Sequence, residues 1–437
     1  MNCRSLLRIL PLLAAVGVLG TEPSRAVVAV QCPGDANGDA IPDGPVPPGV
    51  KCMHVGAGDG FVTMADGHLQ YIFSFMDLTG VADEPATPPD ERVLAGLLAA
   101  DYSAPTIVAD EGDELYLSLT NVGMMMRPDL FDPHSIHWHG FPQAAAVFDG
   151  VPESSMVINM GSTFTYYYNV AEPGTYLWHC HVEATEHMQM GMLGNLYVRP
   201  AQDKLPAGTV LAGGFVHQPG YRYAYNDGDG STRYDVDFPV QLSSFDSNFH
   251  DLHLAVQPLP FAAMRDDYAM INGRGYPDTV NPAPLPPPAD ETGALMNATD
   301  SHPTGYPSQK LSSLVTAAAG QRVLLRVSNV SIQRFFTLQS LGVPLKVVGW
   351  NARLLRGADP DGPGPLLGKD LYYTTSSVTL GGGESADVLL QVPAGAAPGT
   401  TYFLYTSNLN YLNNGENDAT LGGQEALGGM LTEIRVL

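Results

Sequence analysis

The stretch PGTYLWHCHVEATEHMQMGML, residues 173–193, decides how this chain is read. It opens on a Pro-Gly turn signal and runs into an aromatic, alternating segment of the kind that forms a half-buried strand. Along a strand, residues i and i+2 face the same side. His179 and His181 therefore share a face, and Cys180 points the opposite way. A second stretch, HSIHWHG at 134–140, puts His137 and His139 on one face by the same rule. If the two stretches are neighbouring strands, four imidazoles converge on one side and a separate site forms around Cys180. Imidazole and thiolate are donors that copper favours. Two imidazoles and one thiolate with a weak axial thioether make an electron-transfer site. His134 and His187 are placed to supply the imidazoles, and Met192 the thioether.

Each feature alone has an ordinary reading. A single HxH pair is often incidental, and a lone buried Cys is usually inert packing. Met188, Met190 and Met192 also suit a core. Zinc accepts Cys and His, but a structural zinc site takes four strong ligands and has little use for six histidines with a methionine tail. Two HxH pairs, the intervening Cys and a following His-x4-Met occur together here, and that coincidence favours copper.

Outward from these motifs, short alternating runs continue. Leu115, Leu117 and Leu119 alternate with Tyr116, Ser118 and Thr120, and FTYYYNV (164–170) and NLYV (195–198) look similar. No long helical period appears. The 437 residues include 47 Gly and 36 Pro, with 44% hydrophobic and 15% charged, a mix that fits an all-β protein rich in turns. The second half repeats the first: EGDELYLSLTNV (111–122) resembles AGQRVLLRVSNV (319–330), and PGTYLWHCH (173–181) resembles PGTTYFLYTS (398–407). Two diverged copies of one β-sandwich are the simplest account. A linker falls at 201–206, and a Pro-rich loop from Tyr276 to Pro307 interrupts the second copy. The expected organisation is a signal peptide at 1–26, a disulfide-closed Gly/Pro-rich segment at 27–59, a copper-binding domain at 60–200 and a second domain at 206–437.

The N-terminus reads as an export signal, with Arg4 and Arg8, an apolar run from Ile9 to Gly20 and small residues around Ser24 and Ala26. That run is too short to span a bilayer, and no later segment is longer. A soluble protein in the periplasm or outside the cell is expected. Cys32 and Cys52 bracket CPGDANGDAIPDGPVPPGVKC, and an oxidising compartment lets them pair. Within that loop Asp35, Asn37, Asp39 and Asp43 alternate as calcium ligands do, although Ala40 stands where a glycine is expected. A plain acidic loop is the other reading. The net charge of -24 repels phosphate backbones and argues against nucleic acid as a partner.

HSIHWHG resembles the HxxHxH copper motif of the multicopper oxidases. FDGVPE (148–153), PGTYLWHCHVEATEHMQMGML and MINGRGYPDT (270–279) resemble further segments of that family, and the likeness extends over roughly residues 60–437. The resemblance implies two cupredoxin-like Greek-key β-sandwich domains. It implies a type 1 copper at His134, Cys180, His187 and Met192, a type 2 copper at His137, and a type 3 pair at His139, His179 and His181. Cys180, His179 and His181 would then carry catalysis, wiring the type 1 copper to a cluster that reduces oxygen at the expense of a small reducing substrate or metal ion. The two-domain members it resembles are trimers, so a homotrimer is implied too.

Two departures matter. The interval from Cys180 to His187 is two residues longer than in three-domain laccases, so a bulged loop is expected, and Met190 competes with Met192 as axial ligand. A full cluster of this family takes eight histidines, half from each of two domains, and the first copy offers four. Tyr405, Thr406 and Ser407 stand in place of His179, Cys180 and His181, and RFFTLQSLG (334–342) has no histidine. His54, His68, His250 and His253 are the reserves, or another subunit completes the site. The alternatives are a copper-binding or electron-transfer protein with an incomplete cluster and, ranked last, a nitrite reductase. Met124, Met125 and Met126 read as loop packing or as soft ligands for cuprous ion.

Overall fold

The computed structural model describes residues 30–81, 91–357, 368–414 and 428–437; the export signal expected at 1–26 lies outside them. Strands dominate. In the first half they are β1 (Val50–Thr63), β2 (Leu69–Asp77), β3 (Ala104–Asp110), β4 (Glu114–Gly123), β5 (His137–His139), β6 (Thr163–Asn169), β7 (Gly174–His179) and β8 (Leu193–Arg199). They form two four-stranded sheets, in the orders β2-β1-β4-β6 and β3-β8-β7-β5. Inward-facing Leu115, Leu117, Leu119, Tyr166, Tyr168, Trp138 and Trp178 fill one core between them, and Cys180 lies in it. That β1 starts at Val50 means the tail of the disulfide-closed segment is already part of the first sheet.

A small hairpin follows, β9 (Arg222–Tyr223) with β10 (Arg233–Tyr234). The second half then contributes β11 (Val236–Phe245), β12 (Tyr268–Ile271), β13 (Val315–Ala317), β14 (Arg322–Asn329), β15 (Phe336–Leu341), β16 (Leu345–Trp350), β17 (Arg353–Leu354), β18 (Tyr373–Thr375), β19 (Ser377–Leu380), β20 (Ser385–Gln391), β21 (Thr401–Thr406) and β22 (Leu431–Val436). Its two sheets enclose a second core of Val, Leu and Ile. The copies correspond strand by strand. β4 pairs parallel with β1 and antiparallel with β6; β14 pairs parallel with β11 and antiparallel with β20. β7 lies between β5 and β8 as β21 lies between β15 and β22. The fold is the all-β, two-sandwich arrangement expected.

Strand β7 is where the halves meet. Thr175 donates to Asp387 Oδ1 at 2.6 Å, Ser385 donates to the Thr175 carbonyl at 2.6 Å, and Tyr225 donates to Asp387 Oδ2 at 2.5 Å. Arg326, wholly buried, stands 3.7 Å from Asp387 and 3.2 Å from Asp237 and covers the Tyr197 ring. A buried guanidinium is tolerable only with such company, and removing one carboxylate leaves uncompensated charge. From the second half, helix α3 (Ser247–Leu254; α1 is Glu91–Gly96 and α2 Ala184–Met190) also reaches the first sheet. His250 Nδ1 lies 2.6 Å from the Tyr71 carbonyl.

Cys32 and Cys52 are bonded, closing the acidic loop. There the Asp35 carboxylate accepts from the amides of Gly38 and Ala40, and Asp43 accepts from Ala36, so these oxygens are occupied by the loop's own backbone. No helix among the described residues is long and apolar enough to cross a membrane.

Two outcomes are expected. Asp387→Ala should lower unfolding free energy by about 3 kcal/mol, and Asp387→Asn by less, because the amide still accepts from Thr175; urea denaturation measures both. Cys32→Ser with Cys52→Ser should cost about 3 kcal/mol in the same assay, since the bridge closes a loop with a sequence separation of 20.

Candidate metal centre

The register of two strands builds the site. β5 runs antiparallel to β7 with His137 opposite His179, Trp138 opposite Trp178 and His139 opposite Leu177. Trp138 and Trp178 are buried on the core side, so the flanking histidines face the other way. His134 is fixed just ahead of β5 by an isolated bridge to Ile158. Cys180, one residue past the end of β7, falls on the core side.

The first cluster is His134, Cys180 and His187, all fully buried. Cys180 Sγ lies 3.3 Å from His187 Nδ1 and 3.9 Å from His134 Nδ1. Donors bonded at ~2.0–2.3 Å to a common ion stand roughly 3.3–3.8 Å apart, so the three fit one metal. The far nitrogens, His134 Nε2 and His187 Nε2, have no hydrogen-bond partner; Asp132 Oδ2 is 3.8 Å from the latter. Burial and the neighbouring His187 hold the His134 pKa well below its ordinary value. Burial opposes protonation of His187 too, but the Cys180 sulfur and the Asp132 carboxylate outweigh it and raise its pKa to about 10.

The segment between Cys180 and His187 does not bulge as a loop. It enters α2 through Glu183, whose φ is 44°, and the extra residues are taken up in helix. Ala, Glu, Met and Gln favour that state. Gly191 ends the helix at φ 119°, its amide donating to His187 and Met188. A side chain there would meet Tyr102 and the Phe73 carbonyl. This turn brings fully buried Met192 back alongside Cys180, whose amide donates to the Met192 carbonyl at 3.1 Å. Met190 is equally buried, on α2 itself.

The second cluster is His137, His139 and His179, with donor atoms all within 4.8 Å of one another. His137 Nδ1 lies 2.6 Å from the Asp149 carbonyl and His179 Nδ1 lies 2.8 Å from the Cys180 carbonyl. A carbonyl only accepts, so each Nδ1 carries the proton and each Nε2 keeps its lone pair for a metal. His179 Nε2 faces His139 Nδ1 at 3.3 Å. Burial lowers all three pKa values, that of His179 to about 3, which keeps the rings neutral and ready to bind. His181 is beside this group but not in it, its ring 5.0 Å from that of His137 and its amide bonded to Ser135. Both donor sets, two imidazoles with a thiolate and three imidazoles, suit copper.

The reserve histidines stay apart from these clusters. His54 Nε2 lies 2.7 Å from Thr120 Oγ1, and His250 lies between the carbonyls of Tyr71 and Gln189. His253 Nε2 pairs with Glu186 at 2.7 Å, and Arg127 donates to the His253 carbonyl. His68 stacks on Tyr268. In the second half Gln339 faces Tyr405 in the register where His137 faces His179, so neither HxH pair has a counterpart. The amides of Met125 and Met126 donate to the buried Asp59 carboxylate, with both side chains exposed, while Met124 packs in the core. Sequence reasoning assigned no role to Asp132, Asp149, Glu186 or Arg127, although the first three lie in or beside the motifs, because their contacts with His187, His137 and His253 are set by packing.

Residues 83–203 match the model of a multicopper oxidase domain. Laccase-1 of Emericella nidulans is 29% identical over 151 residues, which are 33% of this chain and 22% of that one. L-ascorbate oxidase of Cucurbita pepo var. melopepo is 33% identical over 121 residues, 26% of this chain and 20% of that one. The chain thus spans about a fifth of the length of these curated relatives. The blue copper oxidase of Nitrosomonas europaea superposes with a TM-score of 0.57 at 20% identity, covering 89% of this chain and 86% of that one, which shows a shared fold. With both donor sets inside the matched segment, residues 83–203 are similar to a multicopper oxidase domain, and the likeness of the rest of the chain to these proteins is one of fold.

Proposed function

We propose that the chain is a secreted, copper-dependent oxidoreductase that takes single electrons from a small reductant, an organic molecule or a metal ion, and passes them to oxygen. Copper bound at the two clusters supplies the one-electron redox chemistry. One observation carries the reading: Cys180 turns its sulfur to His134 and His187, while the residue before it, His179, turns its ring to His137 and His139. The two sites are therefore joined by a single peptide unit, and the His179 Nδ1 bond to the Cys180 carbonyl adds a second, hydrogen-bonded link. Met192 completes the first site, and His181 flanks the second.

The chain's residues define how the first site works. Burial of His134, Cys180 and His187 excludes water and keeps donors fixed between redox states. Asp132, about one-fifth exposed, lies 3.8 Å from His187 Nε2, so the reductant is read as approaching there. The 27–59 segment, the 60–200 copper domain and the 206–437 copper-free domain remain our division of the chain. The Cys32–Cys52 bridge supports an oxidising compartment, periplasmic or extracellular.

Cys180→Ser in the copper-loaded protein should abolish the blue absorption and at least a hundredfold of any reductant-dependent oxygen uptake. Persistence of the blue band would refute the ligand assignment. His302→Gln, whose partly exposed ring stacks on Tyr306 apart from both donor sets, serves as a folded control that keeps the colour.

A further inference from the structure

We propose that the second cluster holds one copper per chain, bound by His137, His139 and His179 alone, and that oxygen is therefore reduced there by two electrons to hydrogen peroxide. The inference rests on the copper reading above and sharpens it.

The imidazoles can be counted through. The chain has twelve histidines, and all lie among the described residues. Two belong to the Cys180 site, three converge at the second, and His181 stands beside it with its donor atom outside the group. Of the other six, His54, His217, His250 and His253 are at most 2% exposed and have ring nitrogens engaged, His217 with the Tyr223 hydroxyl. His68 and His302 stack on Tyr268 and Tyr306. Those tyrosines pack with Val62, Ile72 and Met76, on the face of the β1–β2 sheet opposite to Phe61, Phe73 and the copper core. Neither can reach the second cluster in its own chain without crossing that sheet.

The second domain meets the cluster at the outer nitrogen of His139, and with backbone rather than with ligands. A Cβ on Gly383 would stand 2.7 Å from His139 Nε2. The space left beside it, bounded by Thr175, Asn351, Gly383 and Ser385, is about 20 Å³, room for about one water. No imidazole enters from that side. Three converging imidazoles are a complete protein set for a single copper.

Two one-electron sites set the stoichiometry. Oxygen gains two electrons and two protons and leaves as hydrogen peroxide with its O–O bond intact. Two molecules of a phenol, taken as the donor, each lose one electron and one proton and leave as phenoxyl radicals.

The test uses the full chain loaded with copper and freed of excess. Metal analysis should give two coppers per chain, and spin integration by EPR should find both, one with the type 1 signature and one ordinary. Oxygen consumed with a phenol should appear as equimolar peroxide. His137→Gln should lose the ordinary signal, and His181→Gln should keep both coppers. Three or four coppers per chain, about half the copper EPR-silent, or loss of copper in His181→Gln would each overturn the proposal. So would water without peroxide. An ordinary signal with no blue band would overturn the type 1 reading and leave the three-imidazole site standing.

Discussion

Antiparallel pairing of β5 with β7, in the register that sets His137 opposite His179, is the constraint on which both metal sites depend. The side-chain period of a strand is two, so a slip of one residue would turn Trp138 and Trp178 outward and send His137, His139 and His179 into the core. The paired tryptophans hold the register by burial: each is at most 1% exposed, and such aromatic rings have the largest apolar area to lose. One hydrophobic choice thereby places His137, His139 and His179, with Cys180 carried to the core face and its neighbours to the other.

The same strand is gripped from outside by the second half. Thr175, near the start of β7, is bonded through its hydroxyl to Asp387 and through its carbonyl to Ser385. Arg326 and Tyr225 complete a buried polar network behind that contact. A network of this kind contributes little net stability but has one satisfied arrangement, so it fixes the angle at which the halves meet. The second half thus packs against the strand that carries His179, and its Gly383 lies against the outer nitrogen of His139.

Electrostatics follow from burial. The imidazoles of the second cluster are held neutral because a low-dielectric surrounding penalises charge, and the two carbonyls, of Asp149 and Cys180, choose which nitrogen keeps the proton. At the first cluster the two rings respond in opposite senses, His134 pushed down and His187 up, because only His187 lies close to both the Cys180 sulfur and Asp132.

Residue types and spacing alone gave the donors: HSIHWHG and HCH carry their own geometry, because period-two alternation is local and needs no other part of the chain. The repeat of 111–122 at 319–330 likewise made two β-sandwiches legible, since strand patterning survives divergence that motifs do not. Other features were decided only by tertiary structure. The 184–190 segment is helix rather than bulge, because capping by Gly191 and packing under Phe73 and Tyr102 are contacts across the fold. Whether His250 and His253 were ligands turned on where α3 docks, a choice made by Tyr71, Gln189 and Glu186 from far along the chain. Which histidines converge is likewise a matter of distance, and distance between segments is set by packing, which no local pattern encodes.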